Sequence, residues 1–258
     1  MPVTNLIFMF EFLFKPARVE PDLSFIGVDM HSHLLPGIDD GLKEPDQSVS
    51  FMKQLTELGY QKLICTPHIL TDLYPNSRET ILPKLDLVRN ELKKAGLSIQ
   101  IDAAAEYMID HSFAELLGQS KKQDLLTINN QYILVEMSYL APSPNFEQVI
   151  FDLRMLGLTP ILAHPERYSY YHKNFEAYER CVELGCKLQV NLLSLSGAYG
   201  PYVKKTAEKL FKKQMVDYLG TDMHHEKHLE LLQDLATRKD FYSIVASADI
   251  KNKQLLNY

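Results

Sequence analysis

The chain has 258 residues, of which 46% are hydrophobic, and α/β barrels commonly reach about 250 residues as a single domain. Its net charge of −6 argues against broad nucleic-acid binding, which usually needs a basic surplus. The three cysteines (Cys65, Cys181, Cys186) show no CxxC spacing, which predicts a reduced, cytoplasmic setting, and none begins the Cys-x5-Arg run of a cysteine-nucleophile phosphatase.

The chain begins with an apolar stretch, NLIFMFEFLF, at residues 5–14. Glu11 interrupts this stretch, and no basic region or cleavage site of a signal peptide accompanies it. It is also shorter than the roughly 20 residues that span a bilayer. We therefore predict no transmembrane segment, an N-terminal extension at residues 1–24 and a single domain at residues 25–258.

After residue 24, short apolar segments alternate with longer amphipathic ones. The amphipathic segments 44–59, 77–96, 145–157 and 174–185 each end in glycine, a usual stop signal of a helix. Such alternation predicts repeated βα units and a parallel sheet. The predicted strands are 25–33, 62–68, 98–107, 132–138, 159–166, 187–194 and 217–224.

Six of these seven segments end in a side chain that can bind a metal ion, and only 187–194 lacks one. The carboxyl ends of the strands converge on one rim in a parallel barrel, whereas an open sheet spreads them along a line, so we predict a barrel. Each residue alone has a structural explanation, such as a capped buried acid or a turn histidine. Together they favour a metal cluster, because buried charges without partners are costly. The candidates are His31, His33, His68, Glu106, Glu136, His164, Asp222 and His224.

Six motifs between residues 29 and 224 resemble those of the polymerase and histidinol phosphatase (PHP) superfamily. The resemblance is closer to its manganese-dependent protein-tyrosine phosphatases, which are found with bacterial capsule and exopolysaccharide genes. It implies an α/β fold, a distorted (β/α)7 barrel of the PHP type with up to three metal ions at its C-terminal rim. The motifs are DMHSHLLPGIDDG, ICTPH, AAEY, ILVEMS, AHPERY and LGTDMH.

The resemblance also implies a distribution of ligands over three sites. Asp39 and Asp40 are adjacent, and we predict Asp39 as the ligand and Asp40 as a supporting or proton-handling group. A donor set of imidazoles and carboxylates without thiolate favours Mn²⁺, Fe or Zn²⁺, and the resemblance favours Mn²⁺. The implied sites are His31, His33, Glu106 and Asp222 for the first ion, Glu106, Glu136 and His164 for the second, and Asp39, His68 and His224 for the third.

The implied activity is hydrolysis of phosphotyrosine on the tyrosine-rich tail of a cytoplasmic bacterial kinase that regulates capsular or exopolysaccharide synthesis. Arg167 is the predicted phosphate contact, because a guanidinium matches two phosphate oxygens; its alternative is a salt bridge with Glu166. The aromatic segment 166–175 either packs against the phosphotyrosyl ring or covers the outside of the barrel. Where the family often has a second arginine, this sequence offers only Lys227 or His228.

Three other functions remain open at this point. A PHP phosphatase for a small phosphomonoester such as histidinol phosphate would have the same barrel and metals. A binuclear amidohydrolase also begins with His-x-His, although such sites often use a bridging lysine where this chain has Glu106 and Glu136. An inactive module that binds phosphotyrosine would not need the complete ligand set. The oligomeric state is also left open.

Overall fold

The structure, a computed structural model, describes residues 18–256, so the apolar stretch at 5–14 lies outside the described residues. Within that range, all strand pairings between named strands are parallel and form two sheets, with the orders β1-β2-β4 and β3-β5-β6-β7-β8-β9. The strands are β1 (Val28–Asp29), β2 (Lys62–Cys65), β3 (His68–Ile69), β4 (Gln100–Ala103), β5 (Glu106–Met108), β6 (Tyr132–Glu136), β7 (Thr159–Ala163), β8 (Lys187–Asn191) and β9 (Tyr218–Gly220).

These strands occupy the seven positions that the sequence predicts. The predicted strand 62–68 is divided into β2 and β3, and the predicted strand 98–107 is divided into β4 and β5. β1 and β9 lie at the open edges of the two sheets. Just after these strands, Ser32 forms a parallel bridge with Met223, which joins the two edges and closes the barrel. The prediction of a seven-stranded α/β barrel is therefore confirmed.

Helices cover the outside of the barrel. The four predicted helices are present, each within two residues of its predicted ends. The predicted strand 187–194 is too long, since helix begins directly after Asn191. The α-helices are α1 (Pro45–Glu57), α2 (Arg78–Lys94), α3 (His111–Gln119), α4 (Phe146–Met155), α5 (Glu176–Glu183), α6 (Leu192–Ser196), α7 (Pro201–Lys212), α8 (Glu226–Leu235) and α9 (Lys239–Val245).

The buried apolar residues form two clusters. The larger one joins the helices to the outer faces of the strands. The smaller one contains residues of strands that are not neighbours in the sheet, such as Ile64, Leu134 and Tyr218, which can meet only inside the barrel. We call this smaller set the inner apolar cluster; its strand members include Val28, Ile64, Leu134, Ile161, Ala163 and Tyr218.

Residues 18–24, the described part of the predicted extension, lie against the barrel. Leu23 is fully buried in the larger cluster, and its N–H donates to the carbonyl oxygen of Leu58 at 2.7 Å. The N–H of Val19 donates to the carbonyl oxygen of Thr237 at 2.7 Å. The division into an extension and one domain stays a prediction. Among the described residues, no helix has the length and hydrophobicity needed to cross a membrane.

Candidate metal centre

Glu106, at the start of β5, lies fully buried among four imidazoles. Its Oε2 is 3.2 Å from His31 Nε2, 3.4 Å from His33 Nε2 and 3.1 Å from His68 Nδ1, and its Oε1 is 3.0 Å from His164 Nε2. Within residues 18–256, Oε2 accepts no hydrogen bond of ordinary geometry. A buried carboxylate surrounded by imidazoles is a donor set that could hold a metal ion, and its bridging role stays a prediction.

The other predicted ligands surround this carboxylate. Within each of four groups of side chains, nitrogen or carboxylate ligand atoms lie within 4.8 Å of one another. The donors are imidazoles and carboxylates, which suit Mn²⁺, Fe or Zn²⁺, so the residues fit the implied ions. The groups are His31, Glu106 and His164; His31, His33 and Asp222; His68, Glu106 and Glu136; and His33, Asp40, His68 and His224.

The two adjacent aspartates occupy different places in the structure. Asp40 Oδ1 lies 3.5 Å from His68 Nε2 and 3.4 Å from His224 Nε2, whereas Asp39 joins none of the four groups. Asp39 Oδ2 instead lies 2.7 Å from His33 Nδ1, and its Oδ1 accepts the N–H of Gly41 at 2.9 Å. The Asp39 carboxylate therefore faces His33 and the Asp40 carboxylate faces His68 and His224, and the choice of ligand between them stays a prediction.

Next to Asp39 and Asp40, Gly41 packs closely against the strand that carries His33. A Cβ atom at position 41 would collide with the backbone oxygen of His33, so the chain can approach the ligand strand here only as glycine. Asp39 Oδ2 also accepts the N–H of His68 at 3.2 Å, so the carboxylate lies between the His33 ring and the backbone of His68. The carboxylate accepts from Nδ1–H and leaves Nε2 to face the other ligands, as hydrogen-bonded histidine ligands commonly do.

Strand β8 has a supporting role that the sequence analysis missed. His31 Nδ1 lies 2.9 Å from Gln189 Oε1, and because an amide oxygen only accepts, Nδ1 carries the proton and Nε2 faces the cluster. Asn191 Nδ2 donates to Asp222 Oδ2 at 2.8 Å. The available signal was that Gln189 and Asn191 are polar residues two apart in an otherwise apolar strand, so that both side chains face the same side.

Two of the candidate ligands lie in the left-handed region of backbone conformation. His164 follows β7 with φ = 33°, and Asp222 follows β9 with φ = 50°. Such conformations cost about 1–3 kcal/mol each for residues other than glycine, and they persist where the surrounding structure enforces them. Both occur where a strand ends and a ligand side chain must enter the cluster.

The charges within the cluster stabilise one another. Burial opposes ionisation of Glu106, but the charges of His31 and His68 outweigh it and hold the pKa of the carboxyl well below its usual value. Burial likewise opposes protonation of His68, but Glu106 outweighs it and raises the pKa of His68 to about 10. The carboxylates thus require positive charge at this place, and bound cations would supply it.

Arg167 lies beside the cluster. Its Nη1 donates to Asp222 Oδ2 at 2.7 Å, and its side chain is 22% exposed. Glu166 is turned elsewhere and is fully buried, where it accepts from Ser194 Oγ at 2.6 Å and from the N–H of Asn191 at 2.9 Å. The alternative salt bridge between Arg167 and Glu166 is therefore not formed.

A pocket of about 280 Å³ opens above the cluster. Tyr139 and Tyr199, which the sequence analysis did not single out, form part of its wall. His228 also lines the pocket; burial and His225 lower its pKa to about 4, so its imidazole is neutral at neutral pH. The full lining is Asp40, His68, Tyr139, His164, Arg167, Tyr199, Asp222, His224, His225 and His228.

The aromatic segment 166–175 contributes only Arg167 to this lining. Tyr168 is fully buried, and its hydroxyl donates to the carbonyl oxygen of Ala163 at 3.0 Å. The Tyr170 hydroxyl donates to the carbonyl oxygen of Ser138 at 2.9 Å. These tyrosines pack against the barrel, which fits the second of the two predicted roles for the segment.

Comparisons with known proteins agree with these observations. The family model described as "Capsular polysaccharide synthesis, CpsB/CapC" matches residues 27–232. The chain is 27% identical over 201 residues to the tyrosine-protein phosphatase YwqE of Bacillus subtilis, and the aligned region covers 78% of each chain. It is 26% identical over 206 residues to the tyrosine-protein phosphatase CpsB of Streptococcus pneumoniae, and the aligned region covers 77% of this chain and 83% of that protein.

The fold comparison points in the same direction. A crystal structure from work on YwqE of Bacillus subtilis and CpsB of Streptococcus pneumoniae, described as unique metal-dependent tyrosine phosphatases, superimposes with a TM-score of 0.74. It is 25% identical and covers 89% of this chain and 94% of that chain. An amidohydrolase from Mycoplasma synoviae gives a TM-score of 0.51 at 10% identity, which shows a shared barrel fold alone.

Proposed function

The chain belongs to the CpsB/CapC family of capsular polysaccharide synthesis, and we propose that it is a metal-dependent tyrosine-protein phosphatase. The observation that carries the proposal is Glu106, buried among four imidazoles beneath a pocket that also contains an arginine. Such a centre suits hydrolysis of a phosphate ester, whereas binding of phosphotyrosine alone needs no cluster of metal ligands.

We assign the ions of this centre to Mn²⁺, up to three of them. Support comes from the donor set of imidazoles and carboxylates, which also admits Fe or Zn²⁺ when those ions are more available. A cysteine nucleophile has no support, because the three cysteines are buried and burial raises the pKa of Cys65 to about 12.

Bound divalent ions would activate water near neutral pH and offset the negative charge of the phosphoryl group. Arg167 would supply a further cation. Nη1 donates to Asp222, and the guanidinium makes no other hydrogen bond within residues 18–256, so its remaining N–H groups could bind phosphoryl oxygens. The position of Asp40 suits a ligand better than a proton donor, since His224 and His68 lower its pKa despite partial burial. A phenolate leaving group, with a pKa of about 10, needs less protonation than an alkoxide.

The natural substrate in this proposal is phosphotyrosine on the flexible tail of a bacterial tyrosine kinase that controls capsule or exopolysaccharide synthesis. Membership of the CpsB/CapC family supports the pathway. The pocket supports the substrate class, because it opens at the rim of the barrel, where an extended peptide can reach it.

The proposal predicts metal-dependent hydrolysis with a preference for phosphotyrosine. Chelation should abolish hydrolysis of a phosphotyrosine peptide, and added Mn²⁺ should restore it. Across a phosphotyrosine peptide, its phosphoserine counterpart and histidinol phosphate, kcat/KM should be highest for the first. Full activity in the metal-free protein would contradict the metal mechanism, and a preference for histidinol phosphate would favour the small-phosphomonoester alternative.

A further inference from the structure

We propose that Tyr139 and Tyr199 form an aromatic clamp on Arg167 and that the exposed ring of Tyr139 receives the phenyl ring of the substrate. The clamp would make the site selective for aryl over alkyl phosphates. This inference rests on the proposed phosphatase function and adds the residues that recognise the substrate ring.

The clamp is defined by the contacts of the guanidinium group. The Arg167 Cζ atom lies over both rings, 4.8 Å from the ring centroid of Tyr139 and 4.3 Å from that of Tyr199. Cation–π contacts of this kind hold the guanidinium plane against the rings. Together with the hydrogen bond to Asp222, they leave Arg167 little freedom to turn away from the cluster.

The two tyrosines differ in their surroundings. Tyr139 follows β6 and is 43% exposed, and its ring stacks on that of His164 with a centroid distance of 5.7 Å and an angle of 29°. The Tyr199 hydroxyl is buried, and its ring meets His228 edge-on at 6.3 Å. Tyr199 is therefore a positioning residue for Arg167, whereas Tyr139 can both position Arg167 and contact the substrate.

The placement of Tyr139 gives it access to the leaving group. Its ring touches His164, a candidate metal ligand, on one side and Arg167, the proposed phosphate contact, on another. A phosphate bound to these groups would carry its phenyl ring past the exposed part of Tyr139. One aromatic pair changes a binding or rate constant by roughly 2- to 10-fold. The side chain of phosphoserine has no ring to make this contact.

The test compares kcat/KM for a phosphotyrosine peptide and for the same peptide with phosphoserine. In the Mn²⁺-loaded full-length protein, Tyr139→Leu should lower the ratio of the two values by roughly 2- to 10-fold, while Tyr139→Phe should keep it. Tyr139→Gln provides a second variant should the leucine protein fold poorly. Phe151→Leu is the matched control, since Phe151 is an exposed aromatic residue of α4 outside the pocket lining.

A second measurement applies if the phosphoserine peptide is hydrolysed too slowly to give a ratio. Phenylphosphonate should inhibit the wild-type protein more strongly than methylphosphonate, and Tyr139→Leu should remove most of that difference. Tyr199→Leu should lower kcat/KM for both peptides by a similar factor without loss of metal, and Tyr199→Phe should restore both. Unchanged ratios in Tyr139→Leu and Tyr139→Gln would overturn the inference. A wild-type protein without phosphotyrosine hydrolysis would instead overturn the function on which it rests.

Discussion

The interior of the barrel contains two layers that differ in chemistry although the same strands supply both. The inner apolar cluster contains Leu134 and Ala104. The candidate metal centre contains Glu136 and Glu106, each two residues further along the chain. Side chains two apart point to the same face of a strand. One row of inward-facing positions thus changes from apolar to ionisable as it approaches the carboxyl end.

The difference shows how stability and chemistry are divided within this barrel. Burial of apolar side chains in the inner apolar cluster stabilises the fold. The candidate metal centre adds buried charges, which cost free energy unless partners compensate them. It also adds two residues with left-handed backbone, His164 and Asp222, which cost further free energy. Removal of a charge from the candidate metal centre should therefore mainly weaken metal binding. A cavity in the inner apolar cluster should mainly lower the free energy of unfolding.

The largest effect should follow from Glu106→Gln. The amide keeps the shape of the side chain but removes the charge that four imidazoles share, so the protein should lose bound metal. Its kcat/KM should fall by more than about 10³-fold, beyond the cost of one lost oxyanion contact. Mass spectrometry of the metal content and peptide assays would measure this. Glu115→Gln, at an exposed position of α3, is the matched control, and full metal content in Glu106→Gln would contradict the bridging role.

A smaller effect of another kind should follow from Leu134→Ala in the inner apolar cluster. The cavity should lower the free energy of unfolding by about 2–5 kcal/mol, measured by urea denaturation of the metal-free protein. Metal content and kcat/KM should stay near the wild-type values, because no ligand is removed. The control is Leu140→Ala, whose side chain is 94% exposed and whose loss should change stability by less than about 0.5 kcal/mol. Loss of metal in Leu134→Ala would show that the two layers are not separable.

The smallest of the three effects should follow from Gln189→Leu, which removes the partner of His31 Nδ1 but no ligand. Loss of such supporting hydrogen bonds typically weakens metal affinity by 10- to 100-fold. Titration calorimetry with Mn²⁺ would show this, and saturating metal should restore most of kcat. Gln148→Leu on the exposed side of α4 serves as the control. An unchanged affinity in Gln189→Leu would assign Gln189 to packing alone.

The sequence supports the general form of the fold because the relevant signals are local. Alternation of apolar and amphipathic segments is visible without contacts, and so is the glycine that ends each of the four predicted helices. The short helix α6 was missed, since its residues, LLSLS, continue the apolar pattern of β8. The breaks within the predicted strands 62–68 and 98–107 were also missed. Pro67 was an available signal for the first break, because proline has no N–H to donate to a neighbouring strand, whereas the second break falls at Ala104 and Ala105, which mark no boundary.

For the site, the sequence by itself determined which imidazoles and carboxylates stand at the ends of the parallel strands, from which a common rim follows. Only the tertiary structure decided that the side chain of Asp40 faces His68 and His224 while that of Asp39 faces the His33 ring, since these contacts join parts of the chain that are distant in sequence. Tertiary contacts also brought Gln189 to His31 and placed Tyr139 on Arg167. These pairs are distant in sequence, and their geometry arises only when the barrel closes.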